Sequence, residues 1–235
     1  MRCSTDGDAE VRKFSDLASE WWDGSSFSVL HKVNPVRVKY VLSQLDSGLS
    51  KCSLLDIGCG GGIFAESMAS LGFSVTGVDP SQESIEVATA HARAAGLDIQ
   101  YHCAHLDQFS ANRQEVYDIV TLMEVVEHVT DLESCLNDAC RLLKRGGMLF
   151  LSTLNRTLKS MALAVIAAEY ILRWVPRGTH SWNKFVKPSE VCAILRAQGV
   201  VVQDISGMKY RVLRDDWCVT SGDVDVNYFL AARKP

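Results

Sequence analysis

The sequence has no excess of basic residues: 24 Lys and Arg stand against 28 Asp and Glu, for a net charge of −4. A surface that grips nucleic acid by its phosphates needs clustered positive charge, so no nucleic-acid partner is expected. No two of the eight cysteines form a Cys-x-x-Cys pair, and several sit inside apolar runs. That spacing excludes a zinc ribbon and a dithiol redox motif, and it fits reduced, buried thiols better than a disulfide framework. Long apolar runs are also missing. The longest, Met161–Ala168, has eight residues, whereas a helix crossing a bilayer needs roughly 20. Residues 1–23 carry Asp6, Asp8, Glu10, Asp16, Glu20 and Asp23, too many acids for a signal or transit segment. A cytoplasmic setting is the expectation. What remains is globular in composition, 47% hydrophobic and 22% charged over 235 residues. That is enough for a single domain with its own core.

Short runs rich in β-branched residues alternate with helical patterns. Strands are predicted at Ser53–Ile57, Ser74–Val78, Ile99–Cys103, Tyr117–Met123, Met148–Ser152, Val200–Ile205 and Val226–Ala231. Helices are predicted at Ile63–Leu71, Gln82–Ala95, Leu132–Leu143 and Pro188–Gln198. The alternation predicts an α/β fold with a seven-stranded, mostly parallel, doubly wound sheet. No long helix separates the last two strands, so the final one should insert antiparallel. Two segments break the pattern: residues 8–46, read as N-terminal cap helices, and residues 154–187, an insertion too long for an ordinary connection.

Leu54-Leu55-Asp56-Ile57-Gly58-Cys59-Gly60-Gly61-Gly62 ends a strand and opens a helix. Glycines there allow a tight turn and close approach of backbone to a ligand. Asp79 ends the next strand, where a doubly wound sheet presents a carboxylate to ribose hydroxyls. A dinucleotide site would show Gly-x-Gly-x-x-Gly, but residue 63 is Ile. Asp56 ahead of the glycines would repel a pyrophosphate and suit a cationic ligand with an amino acid moiety. The stretch resembles the first motif of class I S-adenosylmethionine-dependent methyltransferases.

The fourth strand runs into Glu124-Val125-Val126-Glu127-His128. Strand carboxyl ends form the ligand crevice in such sheets. If the segment makes a helical turn, the i, i+3, i+4 spacing puts Glu124, Glu127 and His128 on one side. The three could then hold a divalent cation. Alternatively, His128 acts as a general base tuned by Glu127. Within 154–187, Arg156, Lys159, Arg173, Arg177, Lys184 and Lys187 face a single acid, Glu169, and surround the apolar run and Trp174. Such a segment suits either an amphipathic lid or a membrane-surface contact.

Taken together, these residues resemble the ubiquinone-biosynthesis O-methyltransferases. The matching stretches include Ala18-Ser19-Glu20-Trp21-Trp22-Asp23, Leu30-His31-Lys32-Val33-Asn34-Pro35-Val36-Arg37 and the glycine motif. Further matches are Met123-Glu124-Val125-Val126-Glu127-His128, Ser152-Thr153-Leu154-Asn155-Arg156, Ala168–Pro176 and Val224–Tyr228. One departure is Arg211-Val212 after Tyr210, where the family has Asn-Pro. The resemblance implies S-adenosylmethionine as methyl donor and a hydroxyl on a polyprenylated catechol-type phenol or quinol as acceptor, at two steps of ubiquinone synthesis. By motif, Arg37, Gly58, Asp79 and Met123 would contact the cofactor, with Asp56 and Gly60 completing the loop. Glu124, Glu127 and His128 match metal ligands proposed for some members, with Mg2+ or another divalent cation as the ion. Peripheral contact with the inner membrane through 154–187 and a place in a quinone-biosynthesis complex follow as expectations. Two other readings stay open: a non-catalytic cofactor-binding scaffold, and a methyltransferase for another apolar small molecule.

Overall fold

A computed structural model describes residues 11–12, 14–23, 26–45, 52–162, 182–211, 214 and 216–235. In chain order the principal elements are α1 (Ser28–Gln44), β1 (Ser53–Ile57), α2 (Ile63–Ser70), β2 (Ser74–Asp79), α3 (Gln82–Ala94), β3 (Ile99–Cys103) and α4 (Leu106–Ser110). They continue with β4 (Tyr117–Met123), α5 (Leu132–Leu142), β5 (Leu143–Leu154), α6 (Pro188–Ala197), β6 (Val201–Arg211), β7 (Asp216–Ser221) and β8 (Asn227–Arg233). The strands form one sheet in the order β3-β2-β1-β4-β5-β8-β6-β7. The first five are parallel, and β8 inserts antiparallel between β5 and β6 as expected.

Strand alternation builds the two faces. Leu55, Ile57, Val120, Leu122, Leu149 and Leu151 join one core cluster with Leu136, Ala139 and Leu142 of α5 and Val191 and Leu195 of α6. Their neighbours Leu54, Ile119, Met148 and Phe150 join the opposite cluster with Val33, Val36 and Tyr40 of α1 and Phe64, Ala65 and Met68 of α2. With side chains at period 2, a strand buried on both faces must be apolar almost throughout, and these strands are. Tyr40 is fully buried and donates its hydroxyl to Asp204 at 2.8 Å, tying α1 to β6.

The sheet has eight strands where seven were expected. The added β7 pairs with an extended β6, from Ser206 opposite Ser221 to Arg211 opposite Asp216. Its residues are partly buried or exposed, so the buried apolar run that marks β1, β4 and β5 is absent there. β5 is likewise longer than predicted, and the short α4 was not anticipated. The seven described cysteines are all free. Among the described residues no helix is long and apolar enough to cross a membrane.

Of the 154–187 insertion, residues 163–181 lie outside the described residues, and with them Trp174 and the lid or membrane-surface expectation. The flanks are anchored. Leu158–Ser160 forms a helical turn capped by Thr157, and the Trp182 indole donates to the Thr157 carbonyl at 2.8 Å. Arg156 pairs with Glu190 of α6.

Candidate active site

Strand order reverses between β1 and β4, and the loops after β1, β2 and β4 meet at that switch point, where open α/β sheets bind ligands. Gly58 and Gly60 have φ of +67° and +50°. A Cβ on Gly60 would lie 2.5 Å from the Trp21 ring, so both conformation and space require glycine. The Gly58 N–H donates to the Val78 carbonyl at 2.8 Å, fastening the loop to β2. Asp79 accepts the Gly60 N–H at 2.9 Å on one carboxylate oxygen and the Ser81 N–H at 2.8 Å on the other. Burial raises its pKa, and the two amide bonds oppose that rise. Each oxygen keeps a further acceptor position for a ligand hydroxyl.

Arg37 of α1 is buried, and its Nη2 lies 3.5 Å from Glu124 Oε1. Its Nε has no hydrogen-bond partner among the described residues. A buried guanidinium donor left open beside a glycine loop fits the carboxylate of an amino acid moiety. Asp56 is placed differently from the sequence expectation. It is 2% exposed and accepts the Thr121 hydroxyl at 2.7 Å, between β1 and β4 and not at the mouth. Burial pushes its pKa up to about 7, against the pull of the Thr121 bond and the Arg37 charge. Met123 closes β4 with its side chain in the α1–α2 core.

The acid–histidine segment turns only after Glu124: the His128 N–H donates to the Val125 carbonyl at 2.9 Å, and Glu124 stands ahead of that turn. Glu124 has φ +58°, a left-handed conformation uncommon for a side chain of this kind. That bend carries its carboxylate to Arg37 and to the Ser152 hydroxyl, which donates at 2.7 Å. Glu127 is buried in the opposite sense and accepts the Thr153 hydroxyl at 2.7 Å. Burial and the Glu124 charge push the Glu127 pKa up to about 7, with His128 and Thr153 pulling it down. His128 is half-buried, edge-on to Phe14 at 5.3 Å between ring centroids. Among the described residues no group of three or more His, Cys, Asp or Glu is gathered so as to hold a metal ion. Glu124, Glu127 and His128 therefore do not fit a shared divalent cation as they stand, because the bend at Glu124 sends the two carboxylates to different partners.

Sequence reasoning missed Ser152, Thr153 and Thr121. Their signal was available: each is a hydroxyl residue inside or at the end of a buried strand, where an unpaired hydroxyl is costly.

Fold and loop geometry define a class I S-adenosylmethionine-dependent methyltransferase. Residues 30–205 match the family model described as a methyltransferase domain. The magnesium protoporphyrin IX methyltransferase of Synechocystis PCC 6803, solved with bound S-adenosylmethionine, superposes over the full length of both chains with a TM-score of 0.67 at 18% identity. The ubiquinone biosynthesis O-methyltransferase of Caulobacter vibrioides is 45% identical, covering 96% of this chain and 94% of its own. The enzyme of the same name from Nitrosomonas europaea is 44% identical, covering 95% of each. The chain belongs to the ubiquinone biosynthesis O-methyltransferase family.

Proposed function

We infer that the protein transfers a methyl group from S-adenosylmethionine to a ring hydroxyl of a polyprenylated catechol-type intermediate in ubiquinone biosynthesis. The observation that carries this reading is the Asp79 carboxylate bound to the glycine-loop amide of Gly60 at the switch point, with the buried Arg37 as a second support.

When bound, S-adenosylmethionine supplies an electrophilic methyl on a sulfonium, and displacement at that carbon is in line. Asp79 accepts the ribose hydroxyls. Arg37 pairs with the amino acid carboxylate through parallel N–H donors. Gly58 and Gly60 keep the backbone close enough for the ligand to lie against it. A phenol is a poor nucleophile until its proton leaves, and His128 at the mouth is the group to take it. Glu127, adjacent and buried, stabilises the imidazolium that results. No step is assigned to a metal ion, since among the described residues the acids and the histidine are not gathered so as to hold one.

Three further assignments rest on the sequence. Residues 1–235 act as one methyltransferase domain, with 8–46 as its cap. The basic, apolar insertion 154–187 supports peripheral contact with an anionic bilayer, where a polyprenylated substrate resides. The protein would then work in the cytoplasm at the inner membrane, or on the matrix side in a mitochondrion, beside other enzymes of quinone synthesis.

Transfer of labelled methyl from S-adenosylmethionine to a short-chain demethylated ubiquinol tests the reading. Labelled ubiquinol is the expected product. Cofactor binding with no transfer to any catechol would overturn it in favour of a scaffold.

A further inference from the structure

The segment ahead of α1 crosses the mouth of the site. Phe14 touches His128, and the hydroxyls of Ser15 and Ser81 are 2.8 Å apart. Trp21 lies against the glycine loop so closely that a Cβ on Gly61 would fall 2.3 Å from its ring system. Its indole donates to Ser84 at 3.1 Å and stacks on Phe27 at 3.8 Å between centroids. These contacts touch the loops after β1, β2 and β4, the same loops that bound the nucleoside site.

One attachment is made from outside the site. The Trp22 indole donates to the Gly61 carbonyl at 2.8 Å. The opposite side of that arrangement is a stack on the His91 imidazole of α3, with centroids 3.5 Å apart and planes 5° from parallel. His91 Nδ1 in turn lies 2.9 Å from both carboxylate oxygens of Glu66 on α2. A carboxylate only accepts, so Nδ1 carries the proton and donates. Glu66 is buried and His91 partly exposed. Glu66 thus sets the plane of the ring, the ring sets the plane of the indole, and the indole holds the loop carbonyl.

We propose that His91 and Glu66 are positioning residues for cofactor retention: through Trp22 they hold residues 14–23 down on the glycine loop, so that release of this strap governs entry and exit of the nucleoside ligand. The proposal rests on the reading of the glycine loop as the cofactor site. Neither residue touches the reacting atoms.

The test is the release rate of S-adenosylhomocysteine, followed by displacement with radiolabelled S-adenosylmethionine on the full-length protein. His91→Ala and Glu66→Gln should raise the release rate and the cofactor KM by about five- to tenfold, the scale of one lost ring stack or one lost charge-assisted hydrogen bond. The change in kcat should be smaller. His91→Phe retains a ring for Trp22 but loses the bond to Glu66, so it should recover release only in part, to a rate between those of His91→Ala and wild type. A merely structural role would lower melting temperature in all three variants without that rescue. Trp22→Phe, which keeps the stack and loses only the donor to Gly61, covers the case in which His91→Ala does not fold, and should also speed release. Release equal to wild type in the folded variants overturns the latch while leaving the cofactor site intact. A wild-type protein that binds no S-adenosylhomocysteine overturns both.

Discussion

The Arg37 guanidinium lies 3.5 Å from the Glu124 carboxylate, joining α1 to the acid–histidine segment. Arg37 belongs to the helix before the sheet, and Glu124 to the loop after β4. The pair forms because the left-handed bend at Glu124 turns its side chain toward α1.

Arg37→Lys should weaken cofactor binding by about 10–100-fold, since an ammonium cannot offer two parallel donors to one carboxylate. Titration calorimetry with S-adenosylhomocysteine measures it directly. Unchanged affinity would place the amino acid carboxylate elsewhere.

His128→Ala should lower kcat by about 10²–10⁴-fold, the usual contribution of a positioned base. Cofactor affinity should change little, because no cofactor role falls to His128. Glu127→Gln should act in the same direction with a smaller effect. Full turnover in His128→Ala would assign proton removal to another group.

Asp56 makes the stability of the cofactor-free protein depend on pH. Its pKa rises from an ordinary 3.8 to about 7 on folding, so the native state binds the proton more tightly than the unfolded chain. Its contribution is complete below the unfolded value and is lost as pH rises through 7, by at most about 4 kcal/mol. Asp56→Asn should flatten that dependence. Urea unfolding at pH 5 and pH 8 should show the variant gaining on wild type at the higher pH. A constant difference between the two proteins would mean that Asp56 ionises normally.

Manganese alone should bind the free protein weakly, with no saturable site below about 1 mM, since one donor set of three is not assembled. Paramagnetic resonance of free manganese reads this out. Tight binding without substrate would show that Glu124 leaves Arg37 and Ser152 to join a cation site.

Much of this architecture was legible in residues. Ser53–Ile57 and Tyr117–Met123 stand where their apolar runs predicted, because strands buried on both faces carry an unbroken signal. β7 was not legible, being an edge strand with little to bury. In the site, Gly58, Gly60 and Asp79 form the turn and the strand end that their spacing predicted, since a tight strand-to-helix turn leaves few alternatives. Asp56 and the Glu124–His128 group did not. Spacing alone implied a helical turn, while the chain direction there is set by one left-handed residue and by hydroxyls donated from β5. Those hydroxyls are 28 and 26 residues away in sequence from the acids they hold, so a hydroxyl in a buried strand shows that a partner is needed but not which acid it is.

Trp21 and Trp22 account for two of the chain's five tryptophans, and both rest on the glycine loop. Trp217 sits at the far edge of the sheet, beside Tyr210 on the neighbouring strand. The chain thus carries its own optical probe: indole emission from the strap should report the arrival of an adenine nucleoside without any label, over a background from Trp174, Trp182 and Trp217.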